Sequence, residues 1–272
     1  FCYQVQRSFV EREHVSDDTV GKHTVPENLE HGEYITNSVN HSDLGNPIYI
    51  LGATTSPTGA QTYLEVVENS CNPGFVLMGQ KLGTERLYNY VEKFGFTKKT
   101  GIDLNGESSG IMFNIDKIGD LELATTAFGQ GVSVTPIQQI TAVSAAINGG
   151  ILYKPYIVKS LSEPETNSVI LENKPTIVRK VISEDTSNKV RYALESVVAR
   201  GTGHNAYIAG YRVGGKTGTA QKYQNGVIAD GKYIASFIGF APYENPEIAI
   251  VVMVEKGGHG IPEADIERRY QE

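Results

Sequence analysis

The sequence predicts an α+β domain, with helices packed on an antiparallel sheet. Three observations carry that expectation. Capped helical patterns come first, β-patterned runs follow one another through the last third, and residues 242–246, with a proline at either end, form a turn between two of those runs. Strands joined by so short a turn pair as antiparallel neighbours.

The chain divides near Gly59. Residues 1–58 are polar, rich in His, Glu, Asn and Ser, and only 47–51 (Pro-Ile-Tyr-Ile-Leu) reads as a short strand; the remainder has the composition of loop or disorder. Residues 61–70 follow a helix pattern with Tyr63, Leu64 and Val67 on one face. Pro73-Gly74 interrupts it, which leaves Ser70-Cys71-Asn72 at the helix end or on the turn beyond. Two short helices follow at 75–81 and 84–93, with Gly83 and Gly95 as left-handed stops.

The clearest helix covers 136–148. Thr135 is its N-cap, Pro136 takes the first helical position, Gln138 completes a capping box, and Gly149-Gly150 ends it. Its apolar stripe is Ile137, Ile140, Ser144 and Ile147. A second long helix covers 184–200, capped by Ser183, with Glu184 and Asp185 at its positive end and Gly201 as its stop. Leu194, Val197 and Val198 belong to its buried side. Strands are expected at 207–214, 216–223, 233–241 and 247–255. There are no internal repeats and no low-complexity tracts.

Composition narrows the function. The 272 residues are 40% hydrophobic and 20% charged, ordinary for a globular protein that buries a core. A net charge of -7 excludes non-specific binding to nucleic acid, which needs a basic face to displace phosphate counterions. The longest apolar run, 248–254, falls far short of the roughly 20 residues that cross a bilayer. No signal peptide opens the chain, and its start at Phe1 reads as that of a fragment. Cys2 and Cys71 make no disulfide framework and have no metal-ligand spacing, and His14, His23, His31 and His41 never pair at i, i+4 on a helix, so no metal is expected.

Two motifs carry chemistry. In Val213-Gly214-Gly215-Lys216-Thr217-Gly218-Thr219-Ala220-Gln221, Lys216 offers a fixed cation on a strand edge, Thr217 and Thr219 offer hydroxyls, and Gly218 leaves no side chain between backbone and ligand. Such an edge can pair with an extended peptide, hold its terminal carboxylate and aim a backbone N–H at a developing oxyanion. Upstream, Ser70-Cys71-Asn72 supplies a hydroxyl that both accepts and donates and an amide that can hold a peptide group from both ends.

With these motifs in this order, residues 59–256 resemble the transpeptidase domain of class B penicillin-binding proteins, nearest to the sporulation-specific, stage V type D branch. Thr125-Thr126-Ala127-Phe128-Gly129-Gln130-Gly131, Val134-Thr135-Pro136-Ile137-Gln138-Gln139 and Gly201-Thr202-Gly203 extend the resemblance. It implies a penicillin-binding-protein/β-lactamase-like fold and a serine acyl transfer that cross-links cell-wall stem peptides ending in D-Ala-D-Ala. β-Lactams would be covalent inhibitors wherever a nucleophile is present, a cell-wall glycosyltransferase is an implied partner, and the implied location is the outer face of the bacterial cell membrane. No cofactor is implied. Ser70 would relay the proton to the leaving amine, Asn72 would orient the substrate amide, and Lys216 would hold the positive field. Thr217 and Thr219 would bind the substrate carboxylate beside Gly218, and the Thr219 N–H would form half of the oxyanion hole.

The chain departs from the family at one point. The resemblance places a Ser-x-x-Lys motif within about the first 25 residues, yet no serine in the chain is followed at the third position by lysine. Ser8 is followed there by Glu11 and Ser16 by Thr19, so the nucleophile is not identified. Residues 257–272 form a short polar tail in which His259 sits between glycines, and the fold is expected to be incomplete at both ends. The alternatives to a working transpeptidase are a non-catalytic protein that binds wall peptide or a partner through the same groove, and a truncated or mis-framed product.

Overall fold

The computed structural model of the chain describes residues 47–49, 60–224 and 227–255. Cys2, Ser8, Ser16, the four early histidines, His259 and the tail lie outside these residues. Strand β1 (Pro47–Tyr49) pairs antiparallel with β2 (Ala60–Thr62), so backbone bonds join the two sides of Gly59. Thr62 then caps α1 (Tyr63–Glu68) in a reciprocal capping box with Glu65.

The helix read at 61–70 is therefore shorter than expected, and its first two residues are strand. Its buried face is Tyr63, Val66 and Glu68; Leu64 and Val67 are only half-buried, because α1 is covered from the side of two later helices. Pro73-Gly74 does not end a helix. Pro73 sits in the first turn of α2 (Asn72–Leu82), where its missing N–H costs nothing. Gly83 then separates α2 from α3 (Thr84–Lys93) with φ +81° and ψ 156°, an extended conformation reserved for glycine rather than a left-handed helical stop.

Helix α4 (Asp120–Ala127) packs against α2, and Gly79 marks the contact: a Cβ there would lie 2.4 Å from that of Ala127. Helix α5 (Pro136–Ile147) has the predicted cap, with Thr135 Oγ1 accepting from the Gln138 N–H. Its buried stripe is Gln138, Ala142, Ala145 and Ile147, and Ile137, Ile140 and Ser144 are half-buried. The helix has turned because Gln138 is held inside: its Oε1 accepts from the Thr135 N–H, and its Nε2 faces the carbonyls of Phe96, Lys98 and Ser109 at 2.8–3.2 Å. One side chain thus caps a helix and pins a turn beneath it.

Two small antiparallel pairs follow, unpredicted. In one, β3 (Ile151–Lys154) pairs with β6 (Thr176–Lys180); in the other, β4 (Ser160–Ser162) pairs with β5 (Val169–Glu172). Helix α6 (Glu184–Arg200) has the predicted bounds, Ser183 cap and Gly201 stop. Its buried residues are Ser187, Ala193, Ser196, Val197 and Val198, with Leu194 half-buried.

The main sheet has the order β7 (Gly214–Gln224), β8 (Val227–Ala241), β9 (Ile248–Glu255), antiparallel throughout. Of the strand expected at 207–214, only Gly214 is strand, as the first residue of β7. A short 3₁₀ turn at His204–Ala206 leads into irregular backbone, Tyr207, Ile208 and Tyr211 are exposed, and no strand pairs with them among the described residues. Helix α6 packs on β7 and α5 on β9, giving helices on an antiparallel sheet. Val197, Val198, Ile238 and Phe240 are buried in these layers, each contributing about 1.5–3 kcal/mol of hydrophobic stabilisation. No helix among the described residues is long and apolar enough to cross a membrane.

Candidate functional site

Ser70 sits at a corner built by the chain around it. Helix α1 ends with Ser70 at φ +50°, one of two non-glycine residues with positive φ among those described. The Cys71 N–H bonds to the Val66 carbonyl at 2.9 Å and the Ser70 N–H to that of Val67 at 3.3 Å, the paired bonds of a Schellman motif. The position that usually takes glycine here holds serine. Cys71 and Val66 belong to one buried cluster, the apolar contact that accompanies such an ending. Burial pushes the Cys71 thiol upward, so it is a small filler under the corner. Asn72 opens α2 immediately after it.

Lys216, on β7, reaches this corner. Its Nζ donates to Ser70 Oγ at 2.7 Å and to the Thr217 carbonyl at 3.1 Å. A serine hydroxyl that accepts from an ammonium keeps its own proton to donate elsewhere, so the pair can pass a proton outward and recover it from the lysine. The next residues continue the edge. Gly218 lies opposite Ser236 of β8, whose Oγ donates to the Gly218 carbonyl at 3.3 Å, and a Cβ on Gly218 would come within 2.7 Å of that oxygen.

Residues of a strand alternate the side to which they turn both N–H and C=O. With Gly218 turned to β8, Thr217 and Thr219 turn to the opposite edge, where no strand pairs with β7 among the described residues. Gln130, in the loop after α4, reaches that edge and donates from Nε2 to the Thr219 carbonyl at 3.0 Å.

A third segment ties these parts together. Gly201-Thr202 follows α6 and crosses the end of α1: the Thr202 N–H donates to the Glu68 carbonyl at 2.9 Å, and a Cβ on Gly201 would lie 2.3 Å from that oxygen. Thr202 Oγ1 meets Thr217 Oγ1 at 3.1 Å. The Glu68 carboxylate is buried against Ser196 and Arg200 of α6, with Arg200 Nη2 at 2.7 Å. Helix α1 is thereby held to α6 at the turn that presents Ser70.

Ser70 and Lys216, 146 residues apart, are thus in direct contact, with Thr217, Gly218 and Thr219 along the same strand and Asn72 at the foot of the corner. Thr202, Gln130, Glu68, Ser196 and Arg200 were given no role by the sequence. Gly201-Thr202-Gly203 and Phe128-Gly129-Gln130-Gly131 were the available signals for the first two; Glu68 and its partners had none. No group of three or more His, Cys, Asp or Glu among the described residues is placed to hold a metal.

The model of the penicillin binding protein transpeptidase domain matches residues 33–267. Over 197 residues the chain is 59% identical to Stage V sporulation protein D of Bacillus subtilis, covering 72% of this chain and 30% of that protein. Among solved structures, it superposes on penicillin binding protein 3 from Mycobacterium tuberculosis complexed with ampicillin with a TM-score of 0.71 and 32% identity, covering 79% of this chain and 51% of that one. It superposes on the D,D-transpeptidase domain of a peptidoglycan glycosyltransferase from Eggerthella lenta with a TM-score of 0.69 and 27% identity, covering 79% and 54%. The chain spans about 30% of the length of the first curated relative it matches.

Proposed function

The chain belongs to the penicillin-binding protein transpeptidase family, and from that premise we propose that it carries the substrate-facing walls of a peptidoglycan D,D-transpeptidase site. The observation that carries this reading is the 2.7 Å bond from Lys216 Nζ to Ser70 Oγ beside an open strand edge. A stem peptide ending in D-Ala-D-Ala lies extended along the outer edge of β7. Its terminal carboxylate meets the Lys216 field and the Thr217 and Thr219 hydroxyls, and Asn72 orients its amide.

In the reaction a serine oxygen bonds to the carbonyl carbon of the penultimate D-Ala and gives up its hydroxyl proton to Ser70, which passes its own on. The carbon–nitrogen bond then breaks, and Ser70 delivers the proton that the departing D-Ala amine needs. The Thr219 N–H stabilises the oxyanion. A neighbouring peptide's amine resolves the ester into a cross-link. By likeness to the Bacillus subtilis sporulation protein, the setting is sporulation; membership of the transpeptidase family favours the wall on the outer side of the cell membrane, with a cell-wall glycosyltransferase as partner.

A second reading rests on one specific observation, the absence of Ser-x-x-Lys from the chain. Under it the same groove binds wall peptide without covalent chemistry. Incubation with a fluorescent penicillin, followed by denaturing gel and intact mass, separates the two. A covalent adduct mapped to one serine supports the transpeptidase, whereas reversible binding seen only by calorimetry supports the binding module. Binding in neither assay, or binding indifferent to Lys216→Ala, sinks both.

A further inference from the structure

Gln130 lies in a motif to which the reading above gives no task. Its backbone is fixed: the Gln130 N–H bonds to the Thr125 carbonyl at 2.8 Å and the Gly129 N–H to that of Thr126 at 3.0 Å, directly after α4. Gly129 at φ +83° and Gly131 at φ +77° make the tight turn that aims residue 130 at β7, and a Cβ on Gly131 would sit 3.0 Å from the Phe113 ring. The side chain beyond this anchor has three rotatable bonds and ends in an exposed amide on the Thr219 carbonyl.

Two neighbouring carbonyls that β7 turns to its open edge are met by side-chain donors, Thr217 by Lys216 Nζ and Thr219 by Gln130 Nε2. An extended ligand that adds to this edge brings a backbone amide N–H to such a carbonyl, because strand addition is a ladder of N–H to C=O bonds. Gln130 offers the same chemistry from the same side: a carboxamide N–H on a peptide carbonyl. Lys216 differs, since its ammonium is also committed to Ser70. Of the two donors, the glutamine is the one that can leave without dismantling the Ser70 contact.

We infer that the Gln130 carboxamide is a displaceable stand-in for the amide N–H of the acyl donor, held on the Thr219 carbonyl until a ligand carrying such an N–H takes its place. It makes Gln130 a specificity-determining residue: ligands that bring an amide N–H to Thr219 compete with it, and ligands without one leave it seated. The inference rests on the reading of β7 as the peptide-binding edge.

The test compares wild type with Gln130→Ala and Gln130→Met, the latter keeping the side chain's length and removing its donors. Two β-lactams serve as probes: benzylpenicillin, which carries an amide N–H on its ring, and sulbactam, which does not. Removing a competing exposed hydrogen bond is worth roughly two- to tenfold in affinity. Both variants bind benzylpenicillin tighter by that factor and sulbactam unchanged. In wild type, the Gln130 side-chain amide resonances move on adding benzylpenicillin and stay in place with sulbactam. Weaker benzylpenicillin binding in the variants would overturn the inference, making Gln130 a support for the carbonyl. An equal gain for both ligands, a gain in the alanine variant alone, or no change at all would overturn it too. If wild type and variants alike bind no β-lactam, the functional reading itself fails, and this inference with it.

Discussion

The Cys71 N–H closes on the Val66 carbonyl at 2.9 Å, and that bond commits Ser70, between the helix end and Cys71, to the left-handed region at φ +50°. A non-glycine residue there costs roughly 1–2 kcal/mol in backbone strain. Glycine avoids the strain and loses the hydroxyl; alanine keeps the strain and also loses the hydroxyl. Ser70→Gly is therefore expected to be more stable than Ser70→Ala by about 1 kcal/mol, or ~2–4 °C in melting temperature. Both lose the contact to Lys216 and any penicillin acylation. Thermal melts of the two variants side by side check this, and an alanine variant as stable as the glycine one would contradict the corner's geometry.

The link from this corner to the strand runs through Gly201 and Thr202. Gly201 is constrained by space and not by its φ of -104°, since an added Cβ would meet the Glu68 carbonyl oxygen at 2.3 Å and its carbon at 2.8 Å. Gly201→Ala must push α6 away from α1, and a cost of about 1–3 kcal/mol is expected. Thr202→Val keeps shape and removes only the hydroxyl that meets Thr217 at 3.1 Å. Denaturant unfolding and penicillin binding measured on both should separate them. Gly201→Ala loses stability and binding together, while Thr202→Val loses binding with its stability within about 1 kcal/mol of wild type.

The contrast between these local and distant links shows what the sequence could reveal. The caps at Thr135 and Ser183 were legible because side chain and backbone partner lie three residues apart. The hairpin β8–β9 was legible because its turn holds two prolines between β-rich runs. Strand β6 was not, since all five of its residues are exposed and no buried alternation marks it. Residues 207–213 look like a strand by composition but have no strand paired with them among the described residues, and pairing decides where propensity is ambiguous. At the site, Lys216 and Ser70 were found by motif. That they touch, and that Gln130 reaches Thr219 across 89 residues, is fixed by the packing of helices on β7.

Cys71 stands between two site residues yet faces the core with Tyr63 and Val66 and is only 7% exposed. Burial raises its thiol above the ordinary range, so little thiolate forms near neutral pH. In a Cys2→Ser background, the native protein at pH 8 should react with a disulfide reagent at less than about one-hundredth of the rate of the urea-unfolded chain. Rapid native labelling would mean that the corner opens readily or that the thiol faces the groove.

Acid should loosen the connection between the 100–107 loop and the segment after β3. Asp103 accepts from the N–H of Ile157 at 2.8 Å and of Val158 at 2.9 Å, and these two bonds hold its carboxyl below the ordinary aspartate range. A carboxyl whose folded pKa is depressed binds fewer protons in the native state than in the unfolded one. Its stabilisation is therefore complete above the unfolded pKa and is lost as pH falls through the folded one. Asp103→Asn has no such proton linkage. The melting temperature of wild type should thus exceed that of Asp103→Asn at pH 6, and the gap should narrow steadily as pH falls below about 4. A gap that stays constant to pH 3 would show that the carboxylate form is not what holds these two amides.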